Sequence, residues 1–233
     1  MEVKRGVCYG VGVGPGDPEL ITLKAVHTLE RCPVIAAPQT RSGEMLALDI
    51  ARGAVDLTDK TILPLTFTMS QDPAVLQASH QAAADAIQAH LDRGEDVAMP
   101  NLGDVSIYAT WGYLMELLNR RGYETVMIPG VPSFCAAAAR LGATLVRWGS
   151  PLHIIPVGKG PVAPLVEQPG GKVLMKAGRG LPEIVEALKT TGQLSRAALV
   201  EDCGLPTERV WTELEQIPGD VGYFATVLVK EEQ

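Results

Sequence analysis

Aromatic side chains are scarce in this chain of 233 residues: three Trp, five Tyr and three Phe, 5% of the total. The interior must therefore be built from Val, Leu, Ala and Ile, a composition that suits parallel strands covered by helices. No basic, aromatic stripe of the kind that stacks single-stranded nucleic acid is present. Positive charge is also short. Twenty Lys and Arg face 27 Asp and Glu, a formal charge of -7, which excludes a general electrostatic grip on nucleic acid. An anionic substrate would need a local basic patch. Only four cysteines occur, Cys8, Cys32, Cys135 and Cys203. None forms a C-x-x-C pair or lies near a histidine at metal-ligand spacing, so all four are read as buried free thiols and no metal site is expected. The histidines, His27, His80, His90 and His153, are scattered, two of them inside helical patterns. No apolar run is long enough to span a bilayer. Residues 7–13 are too rich in glycine for a secretory leader, and Asp17 follows at once. The expectation is a soluble cytoplasmic protein with no membrane and no nucleic-acid partner.

What is present is alternation of short apolar runs with amphipathic segments, over a length that allows one large domain or two small ones. Residues 7–13 read as a buried strand, and Asp17-Pro18 as the cap and first turn of a helix whose apolar face is Leu20, Leu23, Val26 and Leu29. Strands are expected at 33–37, 61–65 (interrupted by Pro64) and 96–100. Helices are expected at 43–51, 72–93 and 108–121, the last stopped by Gly122. From Tyr123 the texture changes. Strands are expected near 123–128, 152–157, 172–176, 197–201, 209–213 and 223–230. A small-residue helix at 134–141 is capped by Ser133, and one strong helix lies at 181–189. The reading is two α/β domains, 1–122 with a mostly parallel sheet and 123–233 with a mixed sheet.

Two runs carry the chemistry. Gly14-Pro15-Gly16-Asp17-Pro18-Glu19-Leu20 follows the first strand, and Asn101-Leu102-Gly103-Asp104-Val105-Ser106-Ile107-Tyr108 follows a strand in mid-chain. Each sets turn-forming residues and a carboxylate at the carboxyl end of a buried strand, where open α/β sheets bind ligands. The glycines at 10, 12, 14 and 16 do not make a dinucleotide fingerprint. Counted from Gly10 or Gly12, the third required glycine falls on Pro15 or Asp17, and the second strand ends in Ala37-Pro38-Gln39 without a ribose-binding acid. No Gly-Lys-Ser/Thr follows to make a phosphate loop. Gly103 admits close approach of a ligand to the backbone. Asp104 is suited to ribose hydroxyls, to facing a cationic group or to capping the next helix, and Tyr108 either to lining a pocket or to the core. Pro129-Gly130 supplies a third backbone-rich loop.

The strand followed by Gly-Pro-Gly-Asp-Pro-Glu-Leu-Ile-Thr-Leu-Lys, the Leu-Gly-Asp-x-Ser-Ile-Tyr loop, Pro-Gly-Val-Pro-Ser and the final Tyr223-Phe224-Ala225-Thr226-Val227-Leu228-Val229 resemble the tetrapyrrole methyltransferases. The resemblance runs from Val7 to Lys230. Val34-Ile35-Ala36-Ala37-Pro38 with Gly43-Glu44-Met45-Leu46-Ala47-Leu48, and Leu65-Thr66-Phe67-Thr68-Met69 with Asp72-Pro73, resemble the branch acting at C(20) of precorrin-2. In one departure, Val105 stands where the family has the proline of Gly-Asp-Pro, which puts the stiffness of that loop in question but keeps the glycine and the carboxylate. The resemblance implies a cofactor, S-adenosylmethionine, held between two α/β domains, and a homodimer. Carried over by position, its contacts are Pro15, Leu102, Gly103, Asp104, Ile107, Pro132 and Ser133, with Met175, Lys176, Cys203 and Gly204 beside the adenine.

The implied substrate is a tetrapyrrole bearing many carboxylates, which arginine suits through its paired donors. Arg41, Arg147 and Arg179 lie in expected loops and are the candidates, with His153 and Lys159 behind them; an ordinary solvated charge is the alternative for each. No residue declares itself as a catalytic base. The competing readings are a sibling enzyme acting at another ring carbon or on diphthamide, and a non-catalytic tetrapyrrole carrier.

Overall fold

In the computed structural model, residues 4–68, 70, 72–158 and 160–231 are described. Met69 and Lys159, both drawn into the sequence argument, lie outside them. The chain divides into two compact units, Met1–Pro132 and Ser133–Gln233.

The first unit is a five-stranded sheet of β1 (Cys8–Gly12), β2 (Val34–Gln39), β3 (Thr61–Thr66), β4 (Val97–Asn101) and β5 (Thr125–Ile128), ordered β3-β2-β4-β1-β5. Every pairing is parallel. β5 pairs with β1 through Cys8↔Thr125 to Val11↔Ile128. That register moves the boundary about ten residues beyond the expected Gly122, because a strand assigned to the second domain completes the first sheet. β3 lies at an edge, the place where a strand tolerates Pro64.

The helices of this unit are α1 (Leu23–Arg31), α2 (Leu46–Arg52), α3 (Pro73–Leu91) and α4 (Trp111–Arg120). Asp72 caps α3 through Ala74 N–H at 2.8 Å, with Pro73 in the first turn. The same device at Asp17-Pro18 gives less than expected. Asp17 accepts from Glu19 N–H, but only a 3-10 turn follows, Pro18–Leu20. Ile21 and Thr22 are extended, and Thr22 then caps α1 through Ala25 N–H. The helix therefore starts later and turns a different face inward. Leu23 is 76% exposed, whereas Ala25, Thr28 and Leu29 are buried. The core joins Ala83, Ala84, Ile87 and Leu91 of α3 to Trp111, Leu114 and Leu118 of α4 over Cys8, Val97 and Met99.

The second unit holds a mixed sheet of β6 (Leu152–Pro156), β7 (Gly171–Met175), β8 (Ala197–Glu201), β9 (Arg209–Trp211) and β10 (Thr226–Val229), ordered β6-β7-β10-β8-β9. β6 and β7 are parallel, and the other neighbours are antiparallel. β6, β7 and β8 therefore run the same way and share one carboxyl pole. α5 (Ser133–Arg140), the short α6 (Ala163–Val166) and α7 (Leu181–Thr190) complete the unit. Ser133 is the first residue of α5. Ile184 and Leu188 of α7 close over Leu174, Leu199 and Val227.

Trp111, fully buried, lies against the backbone of Gly10 so closely that an added Cβ would lie 2.3 Å from two carbons of the indole ring. Gly10→Ala is therefore expected to destabilise the protein by about 1–3 kcal/mol through overpacking, read as a lowered midpoint in chemical denaturation with an unchanged slope.

Candidate functional site

β4, β1 and β5 are neighbours in a parallel sheet, so the segments that leave them emerge side by side at the carboxyl pole. Backbone contacts join these three loops. Gly14 and Gly103 form an isolated antiparallel bridge, with Gly103 N–H on Gly14 O at 2.7 Å and Gly14 N–H on Gly103 O at 3.3 Å. Val13 N–H adds a bond to Asn101 O at 3.0 Å. The bridging glycines have φ of +79° and +73°, a region that side chains oppose. A Cβ on Gly12 would lie 2.6 Å from Gly130 N and 2.8 Å from Gly103 O. Gly12 is thus required by the close approach of the second and third loops, and Gly14 and Gly103 by their backbone conformation, reasons that the spacing of the motif did not disclose.

Asp104 connects the second loop to the third. One carboxylate oxygen accepts Ser106 N–H at 2.8 Å and the Ser106 hydroxyl, and the other accepts Gly130 N–H at 2.8 Å. Partial burial pushes the carboxyl's pKa up, but the bonds from Ser106 and Gly130 outweigh it and hold the group below its ordinary value. Asp104 closes a turn onto Ser106 and fixes Pro129-Gly130; it does not cap the following helix, α4, whose N-cap residue is Thr110. Val105, the departure from the family motif, is buried in the first core. An apolar anchor thus replaces the stiffness of a proline.

Leu102, Ile107 and Pro132 are partly exposed, while Pro15 and Gly103 are buried. Tyr108, 45% exposed and at φ +50°, is excluded from the core. Residues 12–17, 101–108 and 129–132 contain no Lys or Arg. The loops therefore offer peptide groups, small apolar walls and two carboxylates, a donor set suited to a neutral or cationic ligand. Arg41 is exposed in the turn that follows β2, at the same pole of this sheet.

In the second unit, Met175-Lys176 and Cys203-Gly204 follow the carboxyl ends of β7 and β8. Two non-glycine residues here have positive φ, Lys176 at +60° and Asp202 at +51°. Such strain persists where surrounding structure enforces it, and it gathers at functional sites. Glu208 enforces the turn after β8: it accepts Gly204 N–H at 2.9 Å and pairs with Arg140. Burial, with Glu208 adding to it, pushes the Cys203 thiol up to about 11, so it is protonated and unreactive at neutral pH. Glu201, buried at the end of β8, accepts Gly222 N–H and meets Arg209 at 2.5 Å, a pair that sequence reasoning missed because its partner lies on the next strand.

Arg179 is exposed in a 3-10 turn, Gly178–Gly180, three residues beyond Lys176 and at the same pole. Arg147 is not brought to that pole. It precedes β6, and its N–H donates to Glu231 beyond the end of β10, at the opposite end of the sheet. His153, the second residue of β6, bonds Pro169 O at 2.9 Å, which places it there too. The expectation of four buried thiols also needs correction, since Cys135 is exposed on α5 while the other three are buried. Among the described residues no group of three His, Cys, Asp or Glu converges as a metal site would require.

The sequence profile of the Tetrapyrrole (Corrin/Porphyrin) Methylases matches residues 7–218. The chain belongs to that family. It is 31% identical to the cobalt-precorrin-2 C(20)-methyltransferase of Salmonella typhimurium over 98% of each chain. It is also 31% identical to a Sinorhizobium precorrin-2 C(20)-methyltransferase, over 96% of this chain and 95% of that one. The cobalamin biosynthesis protein CobIJ of Mycobacterium tuberculosis is 32% identical over 97% of this chain, which spans about half of that longer protein, 46%. The fold is shared with a Thermus thermophilus uroporphyrin-III C-methyltransferase crystallised with S-adenosylhomocysteine, at a TM-score of 0.70 and 23% identity over 97% and 98% of the two chains.

Asp104→Asn tests the connection between loops. Losing charge-assisted bonds should cost about 1.5–3 kcal/mol of stability at neutral pH. Because the folded carboxyl titrates below its unfolded value of about 4, the difference between variant and parent should be full above that value and vanish as pH falls through the lowered one. Urea denaturation of both proteins between pH 7 and pH 2.5 measures it.

Proposed function

We propose that this protein is an S-adenosylmethionine-dependent C-methyltransferase acting at C(20) of precorrin-2 or of its cobalt-bound form. The observation that carries the reading is the bridge of Gly14 to Gly103, stapled by Asp104 to Gly130, at the carboxyl pole of the first sheet. It is joined by full-length similarity to two enzymes named for C(20) methylation.

The loops fit the cofactor's chemistry. They carry no cation that would repel a sulfonium, their glycines leave peptide groups uncovered, and Leu102 and Ile107 supply apolar surface. The residues that would hold it are Pro15, Leu102, Gly103, Ile107 and Pro132 in the first unit. Ser133, Met175, Lys176, Cys203 and Gly204 would do so in the second. Asp104 acts chiefly by fixing loop three. When bound, S-adenosylmethionine supplies a methyl group already activated by its positive sulfur. The chain's own work is then alignment of a nucleophilic ring carbon with that methyl and exclusion of water. Arg41 and Arg179 would grip the substrate's carboxylates through paired donors. Arg147 is set aside, since it lies at the other pole from Arg179 and Met175-Lys176. A homodimer in the cytoplasm completes the proposal, supported by the family resemblance; no described helix is long and apolar enough to cross a membrane.

Incubation with labelled S-adenosylmethionine and each form of precorrin-2 should add one methyl group to at least one of them, read by mass spectrometry. Calorimetry should find binding of S-adenosylhomocysteine, and failure to bind would overturn the reading. Asp104→Ala should weaken that binding roughly tenfold, equivalent to about 1.4 kcal/mol. Arg41→Ala and Arg179→Ala should each raise KM for the tetrapyrrole roughly two- to fivefold, as expected for exposed charge contacts worth about 0.5–1 kcal/mol, without changing cofactor affinity.

A further inference from the structure

We propose that the amino-terminal pole of the second sheet holds a binding site for a small oxyanion, built around Lys172. This is the end of the sheet opposite Met175-Lys176 and Cys203-Gly204, so the inference does not rest on the methyl-transfer reading. Lys172 is the second residue of β7 and is only 3% exposed. Its ammonium donates to Gln193 Oε1 at 2.9 Å. Gln193, also buried, is itself oriented, because its amide N–H donates to Val166 O at 2.8 Å and so turns the oxygen toward the lysine. An ammonium has three donors. This one spends a single donor on a neutral acceptor, and no carboxylate among the described residues forms an ion pair with it. Buried charges are ordinarily paired.

The surroundings are suited to an anion. Lys172 borders a cavity of about 490 Å³ whose wall includes Ser150, Thr191, Gln193 and Arg196. Burial, and after it the like charge of Arg196, lowers the pKa of the lysine; a bound anion would reverse that push. Two carboxylates also border the cavity. Glu167 is exposed, and one oxygen of Glu231 accepts Arg147 N–H at 3.1 Å. The other oxygen of Glu231 is buried with no hydrogen-bond partner among the described residues, and neither carboxylate is paired with Lys172. The site thus offers a buried ammonium with unused donors and the Ser150 hydroxyl, with the positive charge of Arg196 along its wall, a setting suited to phosphate or to a carboxylate group; the Thr191 hydroxyl donates to Ala187 O.

Titration of the full chain with inorganic phosphate, and separately with acetate, at ionic strength held constant with chloride tests this. Amide chemical shifts of Gly171, Thr191 and Gln193 are followed. Saturable shifts at millimolar anion are expected, and the arm that saturates first identifies the preferred oxyanion. Lys172→Met should weaken binding at least tenfold. Arg196→Gln, at a less buried position, should weaken it about threefold and provides the test should the first variant not fold. Shifts no larger than those from chloride, or equal affinity in parent and variants, would overturn the proposal.

Discussion

The antiparallel bridge between Gly14 and Gly103 is the constraint on which the first unit's site depends. A parallel sheet brings strand ends together but gives the loops beyond them no hydrogen-bonding partners of their own. Here the partners are other loops. Each glycine donates to and accepts from the other, and Asp104 extends the connection to Gly130. Because peptide groups make the contacts, the loops approach more closely than side chains would permit. The result is a backbone-to-backbone connection of three loops beside Leu102 and Ile107.

The second unit reaches a comparable end by different means. Its strand ends pass into Lys176 and Asp202, which adopt positive φ without being glycine. Glu208 holds the turn at Asp202 through Gly204 N–H, and Glu201 holds the segment before β10 through Gly222 N–H. The mixed sheet separates two poles of different character. The carboxyl pole carries strained turns and Arg179, whereas the amino pole carries a buried lysine without a carboxylate partner. An all-parallel sheet would have placed every strand start at one end as well. Here β10, antiparallel to both neighbours, brings its own end and Glu231 to the pole where β7 and β8 begin.

Much of the fold was legible in the amino-acid order. Apolar runs located the strands, and the cap at Asp72-Pro73 located α3, because these are local effects of burial and of one side chain on its own helix. The same cap at Asp17-Pro18 failed to nucleate α1, since Thr22, five residues on, offered a second cap and the intervening residues were held extended. The boundary at Gly122 was misjudged because nothing within residues 125–128 says which sheet will pair with them. Trp111 against Gly10 and Glu201 with Arg209 were invisible for the same reason.

By itself the sequence determined the class of fold, the positions of the three backbone-rich loops and the residues that turn there, all of which follow from propensities acting within a few residues. Tertiary structure alone decided that Gly14, Gly103 and Gly130 lie against one another, that Asp104 spends its charge on a neighbouring loop, and that Arg147 and Arg179 stand at opposite poles. Those outcomes depend on strand order and direction, which set partners far apart in the chain and which no local preference encodes.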